Sequence, residues 1–189
     1  MVVHRNIKIK DAAVQIDGTV DFSHPERNFN LFAKQVYKHY QIGYSKFFKM
    51  SQLCKLGFLA SEILLKGINL SDVEADMVSL ILANSSSSLH SDKSYQSTIE
   101  SVPSPSSFVY TLPNILIGEI CIRHGIKGEG TFFIQDRFKK DFIFDYVLSL
   151  FKARQSTISI AGWVDIDMDG SYIADLYLLK STQVTEEQS

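Results

Sequence analysis

The stretch from residue 104 to residue 165 constrains the fold more than any other part of the chain. In order, it predicts a helix, a short apolar strand at residues 131–135, a second helix at residues 136–154, and another strand at residues 157–166. In α/β enzymes, a strand that leads directly into a helix is a frequent position for a nucleophile or an anion site. The junction here has the sequence Ile134-Gln135-Asp136-Arg137-Phe138, which offers no Cys, Ser or His.

The composition is that of an ordinary globular protein. The chain has 189 residues, of which 45% are hydrophobic and 21% are charged, enough for one domain with a full core. Its net charge of −2 does not support nucleic-acid binding, so we predict no nucleic-acid partner. Cys54 and Cys121 both lie in apolar periodic segments, which is typical of buried thiols in a reducing compartment.

The sequence also predicts a cytoplasmic protein without a membrane segment. The opening residues contain no uninterrupted apolar run of the kind that signal sequences have. The longest apolar runs, such as NILIGEICI, are far shorter than the roughly 20 residues of a membrane span.

Secondary structure outside the central stretch follows from local patterns. Residues 2–20 predict an edge strand, with Ile7 and Ile9 on one face and Lys8 and Lys10 on the other. Residues 46–66 predict a helix, and the near-continuous apolar run MVSLILANS predicts a central strand covered on both faces. The serine-rich segment that follows, with its two prolines, predicts a loop with or without one helical turn.

The second helix of the central stretch has clear signals for its start and its buried face. Asp136 is a suitable N-cap for that helix. Helical spacing assigns to its buried face Phe138, Phe142, Tyr146, Leu150 and Ala153.

The last two strands predict a β-hairpin with its turn at Asp169-Gly170. The segment from residue 165 to residue 170 begins like an EF-hand calcium loop. Leu176, however, stands where the bidentate carboxylate should be, and the flanking segments are strands. We therefore predict a hairpin turn and no metal site.

Four stretches, taken together, share a pattern with a known family. They are FFKMSQLCKLGFLASEILLKGINL with Lys49-Met50, MVSLILANSSSSLHSDKSYQ, TLPNILIGEICIRHGIKGEG, and TISIAGWVDI with Ala161 and Gly162. In this order they resemble the N-terminal half of the beta-ketoacyl-acyl carrier protein synthases, over roughly residues 45–166. The third stretch is the most specific, and its family positions are Leu112-Pro113-Asn114, Gly118, Ile120, His124-Gly125 and Lys127-Gly128.

The resemblance implies an α/β fold that is half of a thiolase-like fold. The expected fold is a mixed β-sheet with helices packed on it, ending in a β-hairpin. We expect residues 1–180 to form a single domain similar to the N-terminal half of a beta-ketoacyl synthase, and residues 181–189 to form a flexible polar tail.

Two departures from the family pattern argue against catalysis. The position of the family's acyl-accepting cysteine falls on Arg137, and a guanidinium has no lone pair available to attack a thioester. Cys54 and Cys121 lie in predicted helices and do not replace it. The family's second half, which supplies two catalytic histidines, has no counterpart after the final hairpin. We therefore predict no catalytic residue and no cofactor.

The resemblance places the strand at residues 131–135 at a two-fold dimer interface. The predicted interface residues are Thr131, Phe132, Phe133, Ile134 and Gln135. The two phenylalanines either fill the core of this chain or form part of a partner surface.

Three functional hypotheses follow. The first is a non-catalytic, chain-length-factor-like subunit that pairs with an active synthase in fatty acid, polyketide or polyene biosynthesis. The second is a 3-oxoacyl-acyl carrier protein synthase-related enzyme of altered chemistry, in which Arg137 and Lys127 bind a carboxylate or a phosphopantetheine phosphate. The third is a homodimer that binds an acidic acyl carrier protein through Lys139, Lys140, Lys152 and Arg154. The first is favoured.

Overall fold

A seven-stranded mixed sheet forms the centre of the fold. The structure, a computed structural model, describes residues 1–99 and 104–182. The strands lie in the order β3-β2-β1-β7-β6-β4-β5. Their bounds are β1 Val2–Lys10, β2 Ala13–Ile16, β3 Thr19–Ser23, β4 Val78–Asn84, β5 Gly130–Ile134, β6 Ile158–Ile166 and β7 Tyr172–Lys180.

Within residues 1–99 and 104–182, six α-helices connect or flank these strands. Their bounds are α1 Phe29–His39, α2 Gln52–Leu64, α3 Leu89–Ile99, α4 Pro105–Val109, α5 Ile115–His124 and α6 Lys140–Lys152. The predicted helix at residues 46–66 is α2, preceded by a separate 3₁₀ helix at Ser45–Lys49. The interruption follows from Ser51, whose side chain accepts a hydrogen bond from the Cys54 N–H and so begins a new helix.

The sheet combines a parallel half and an antiparallel half. Strands β4, β5 and β6 run parallel, whereas β6–β7, β7–β1, β1–β2 and β2–β3 are antiparallel pairs. All seven residues of β4 are buried, which confirms the predicted central strand. The predicted β6–β7 hairpin is also confirmed, with Gly170 in its turn at a φ of 86°.

The two faces of the sheet carry different cores. On one face, α2 packs on β1, β6 and β7, α5 packs on β4 and β5, and α1 covers α2. On the opposite face, α6 packs on β4 and β6 through Ile143, Val147, Leu150 and Phe151. The predicted mixed sheet with packed helices and a terminal hairpin is thereby confirmed.

The interpretation of residues 2–20 as an edge strand is wrong. Ile7 and Ile9 are fully buried on one face as predicted, but β1 lies inside the sheet between β2 and β7. The segment folds into three strands because tight turns interrupt it. Asp11 and Ala12 adopt positive φ values of 52° and 58° at the first turn, and the second turn contains Gly18.

The serine-rich segment contains more helix than the predicted loop with one helical turn. It forms α3 and α4, the latter with Pro105 in its first turn and the Ser104 side chain accepting from the Ser107 N–H. These local caps compensate for the low helix propensity of serine. In the predicted polar tail, residues 183–189 lie outside the described residues.

Candidate functional site

The carboxyl ends of the three parallel strands form the candidate site. Ligands of open α/β sheets bind beyond the carboxyl ends of parallel strands. Strands β4 and β6 are tied together there, because Asp165 accepts hydrogen bonds from the Ser85 N–H at 3.1 Å and from the Ser85 hydroxyl at 2.5 Å. Strand β5 joins them through the Gln135 N–H, which donates to the Asn84 carbonyl at 2.9 Å.

The junction after β5 differs from the prediction in one respect. Helix α6 begins at Lys140, with Lys139 at the N-cap position, so Asp136 is not its N-cap. Asp136 instead pairs with Lys139, whose Nζ lies 2.6 Å from its Oδ1, and this hydrogen bond lowers the pKa of the Asp136 carboxyl. Arg137 is exposed in the irregular segment before the helix.

The structure also corrects the predicted buried face of α6. Phe142 is 46% exposed, and Ala153, the C-cap residue, is exposed as well. Of the five residues predicted for this face, Leu150 is buried, while Phe138 and Tyr146 are partly exposed. The buried stripe contains Ile143 and Val147 instead of Phe142 and Tyr146, and spacing alone did not separate the two because both pairs are apolar and one residue apart.

Lys127 and Arg137 do not lie together. They flank opposite ends of β5, a strand that by itself spans about 13 Å between its first and last Cα atoms. Both side chains are exposed, and the Lys127 N–H donates to the Ala75 carbonyl at 2.8 Å. Their predicted role as a joint anion site stays a prediction that this placement does not favour.

Aromatic side chains fill the space beside the junction. Phe138 lies over Trp163 and Tyr177, with ring centroids 5.8 Å and 6.5 Å away. Trp163, which stands where the resembled family has its second glycine, is buried in β6. The Lys140 ammonium lies 4.1 Å from the centroid of the Tyr177 ring, a cation–π contact. No local pattern linked residue 177 to this site, because the contact depends on the β6–β7 register.

Neither cysteine is positioned or ionised as a nucleophile. Burial raises the pKa of the Cys54 thiol to about 12 and that of the Cys121 thiol to about 11. A thiolate is the reactive species, so both groups are poorly nucleophilic near neutral pH. Cys54 belongs to α2 and Cys121 to α5, on the face of the sheet opposite α6.

Strand β5 is an edge of the sheet. It pairs with β4 alone, so its other side is unpaired within residues 1–99 and 104–182. Phe132 packs against the core below α5, whereas Phe133 contacts the rings of Phe142 and Tyr146 from α6 at 5.1 Å and 5.2 Å. Both phenylalanines are only partly buried, and Ile134 is 52% exposed.

The four basic residues of the carrier-protein hypothesis do not form one patch. Lys139 and Lys140 lie at the start of α6, about 18 Å along the helix from Lys152 and Arg154 near its end. Lys139 is also engaged by Asp136.

The part of the chain that the structure describes has neither a cluster of metal-ligating side chains nor a membrane-spanning helix. No group of three or more His, Cys, Asp or Glu side chains in residues 1–99 and 104–182 could hold a metal ion. None of the helices described within these ranges is long and apolar enough to cross a membrane.

Solved structures similar to this one share its fold. No protein-family model and no curated protein matches the sequence. The ishigamide ketosynthase/chain length factor aligns with a TM-score of 0.66 at 15% identity, over 98% of this chain and 63% of that one. The chain has a thiolase-like fold. The predicted resemblance to beta-ketoacyl synthases is thereby confirmed at the level of the fold.

Two further solved structures share this fold. A ketosynthase in complex with its chain length factor, from Xenorhabdus doucetiae, aligns with a TM-score of 0.61 at 12% identity, over 96% of this chain and 79% of that one. A type II polyketide synthase acyl-carrier protein in complex with its ketosynthase bound to the hexaketide aligns with a TM-score of 0.66 at 9% identity, over 96% and 58%. The chain thus spans less than two thirds of the length of two of these three relatives.

Proposed function

We propose that this chain is a non-catalytic ketosynthase-like subunit that pairs with an active synthase in acyl-chain biosynthesis, in the manner of a chain length factor. The observation that carries this proposal is Arg137, which is exposed at the position where the resemblance puts the nucleophilic cysteine. A guanidinium stays protonated and cannot attack a thioester. The high pKa values of Cys54 and Cys121 leave no substitute nucleophile among the cysteines.

The similar solved structures support the proposed partners. Two of them are described as containing a ketosynthase and a chain length factor, and the third contains an acyl-carrier protein with its ketosynthase. We infer that an active ketosynthase is the partner, that an acyl carrier protein meets the assembly, and that the product is a fatty acid, polyketide or polyene chain.

Strand β5 is the proposed pairing strand. The edge of β5 offers backbone groups to an added strand, and β-strand addition is a general mode of protein association. The proposed interface residues are those named from the sequence, Thr131, Phe132, Phe133, Ile134 and Gln135. We also propose a cytoplasmic location, because Cys54 and Cys121 are both free thiols.

The two alternative functions have less support. An enzyme of altered chemistry would need Lys127 and Arg137 to act on one ligand, yet they flank opposite ends of β5. A homodimer that binds a carrier protein along α6 would need one basic face. The basic residues lie instead at the two ends of that helix.

Co-expression with the ketosynthase encoded closest to this chain tests the proposal. We expect a complex on size-exclusion chromatography with light scattering. We also expect a product whose chain length differs from that made by the synthase alone. The Arg137→Gln variant should leave product formation unchanged, whereas an enzyme that uses Arg137 would lose activity. Failure to find either a complex or a changed product length would refute the proposed function.

A further inference from the structure

A cavity of about 440 Å³ lies where helices α2 and α5 end. Its wall comes from the turn after α1, the end of α2 with the loop that follows, and the last two residues of α5. Helix α5 ends at His124 and β5 begins at Gly130, so the cavity lies at the end of the sheet where the parallel strands begin. The candidate site lies at the carboxyl ends of these strands, and no residue of β5 lines the cavity.

We propose that this cavity is a binding site for a small organic anion, namely a carboxylate or a phosphate ester. We call it the α2–α5 cavity, and it is defined by Tyr40, Glu62, Lys66, Arg123 and His124. Lys66 and Arg123 hold the anionic group. The site is distinct from the surface that pairs with a synthase and does not depend on the proposed function.

Glu62 holds Arg123 in one orientation. The Arg123 Nε and Nη2 atoms donate to Glu62 Oε1 and Oε2 at 2.8 Å and 3.0 Å, which makes the pair bidentate. The Glu62 side chain is 10% exposed, and the guanidinium carbon of Arg123 lies 5.2 Å from the centroid of the Tyr44 ring. The pair uses two of the five N–H donors of the guanidinium, so three remain for a ligand.

The charged side chains of the α2–α5 cavity leave one positive charge unpaired. Lys66 and Arg123 are both cationic, and Glu62 is the one acidic side chain among the residues that line the cavity. In the part of the chain that the structure describes, no carboxylate forms an ion pair with the Lys66 ammonium, which lies 5.3 Å from the centroid of the Tyr40 ring. His124 adds no charge near neutral pH, because burial lowers its pKa. The complement of this excess is an anion.

The two helix ends do not reverse this preference. Helix C-termini favour cations, because their last carbonyl groups have no partner within the helix. At the end of α2, however, the Arg5 guanidinium donates to the Leu64 and Lys66 carbonyls at 3.0 Å and 2.7 Å. At the end of α5, the Ile126 N–H donates to the Cys121 carbonyl at 3.0 Å. With these carbonyls satisfied, the side chains decide the sign of the ligand.

Apolar side chains line another part of the wall. They are Leu65, Ile68 and Leu70. The volume of the cavity falls within the range of about 300–1,000 Å³ that is usual for small-molecule sites. An inorganic ion would leave this apolar surface in contact with water, so the ligand carries an apolar portion beside its anionic group.

The test titrates the full chain, without a synthase, with phenyl phosphate and with benzoate. These probes carry a phosphate or a carboxylate group on the same ring, and phenol is the neutral control. At constant ionic strength, the backbone amide resonances of Gly43 and Ser71, two residues of the cavity wall, report occupancy. We expect at least one of the two anions to give saturable shifts with a dissociation constant on the order of 1 mM.

Matched lysine variants locate the anionic group. We expect Lys66→Ala to raise the dissociation constant of that anion about fivefold, because it removes one of the two cations that hold it. Lys152→Ala is the control, since Lys152 is an exposed lysine at the end of α6, on the other face of the sheet. It should bind as the wild type does. Both lysines are exposed, so we expect both variants to fold, and thermal melting checks this.

Each outcome decides for or against the site. Saturation by phenyl phosphate alone, by benzoate alone or by both supports it and identifies the anionic group that it prefers. The site is refuted if neither anion gives saturable shifts, if phenol binds as tightly as the anions, or if Lys66→Ala binds as the wild type does. None of these results bears on pairing with a synthase, so the proposed function is tested separately.

Discussion

Gly162 shows how closely β6 and β7 approach each other. Its φ is 154°, and a Cβ built there would lie 2.1 Å from the Asp175 carbonyl oxygen of β7. This contact is with backbone, so it cannot be relieved by moving a side chain. The glycine of the Ala161-Gly162 motif is therefore required by the close approach of the two strands in this chain.

We expect Gly162→Ala to lower the free energy of unfolding by about 3 kcal/mol, because the added methyl group forces the two strands apart. Chemical denaturation followed by tryptophan fluorescence measures this change, since Trp163 is the adjacent residue. Gly43→Ala is the control, because nothing lies within 4 Å of a Cβ at that position. Equal stability of the two variants would contradict the steric explanation.

For individual residues, the sequence predicted the buried face of β1 correctly and the buried face of α6 less well. The alternation of Ile7 and Lys8 gave the correct faces of β1, because the side chains of a strand must alternate. The predicted buried face of α6 was displaced by one residue because the helix has two adjacent apolar stripes, one with Phe142 and Tyr146 and the other with Ile143 and Val147. Asp136 has the side chain of an N-cap, but its carboxylate binds Lys139 instead.

Helix α6 differs from α1 and α2 in how it starts. Asn28 and Ser51 cap α1 and α2, accepting from the Leu31 and Cys54 N–H groups. Lys139 makes no side-chain cap at α6. A cap residue did not make the start of a helix easier to predict, because the predicted helix over residues 46–66 starts six residues before α2 and the one over residues 136–154 starts four residues before α6.

We expect Asn28→Ala and Ser51→Ala each to destabilise the protein by about 1 kcal/mol, because each removes a hydrogen bond from a helix terminus. Asp136→Ala should leave the free energy of unfolding nearly unchanged, since Asp136 and Lys139 form an exposed ion pair. Urea denaturation of the three variants checks this. A loss for Asp136→Ala as large as the other two would mean that Asp136 does cap α6 in solution.

For the molecule as a whole, the sequence predicted the α/β class, the thiolase-like resemblance and the terminal hairpin. It did not predict the order of strands. Hairpin pairing between β6 and β7 follows from a local turn, but the pairing of β1 with β7 joins residues more than 160 positions apart, such as Ile7 and Leu176. Local patterns carry no information about such a contact, so β1 was assigned to an edge.

Stability of the whole fold should depend on pH through His124. Burial lowers the pKa of His124 below the ordinary value of 6.5, although Glu62 lies 3.2 Å away. Below pH 6.5 the unfolded chain binds a proton at His124 more readily than the folded protein does. The free energy of unfolding therefore falls as pH falls through that value.

We therefore expect the thermal midpoint of the His124→Gln variant to fall less than that of the wild type between pH 7 and pH 5. His4→Gln, which changes an exposed histidine of β1, should follow the wild-type profile. Parallel pH profiles for wild type and His124→Gln would show that His124 does not contribute to the pH dependence.

The unpaired edge of β5 also has a consequence for the cell that makes this protein. Edge strands of soluble proteins are usually protected by charged residues or proline, and β5, with the sequence GTFFI, has neither. In the proposed pairing, chains made in excess of the synthase would leave an aromatic strand open to pairing with any other exposed strand. Under the proposed function, balanced synthesis of this chain and the synthase, in amount and in time, would protect the chain from aggregation as effectively as any residue within it.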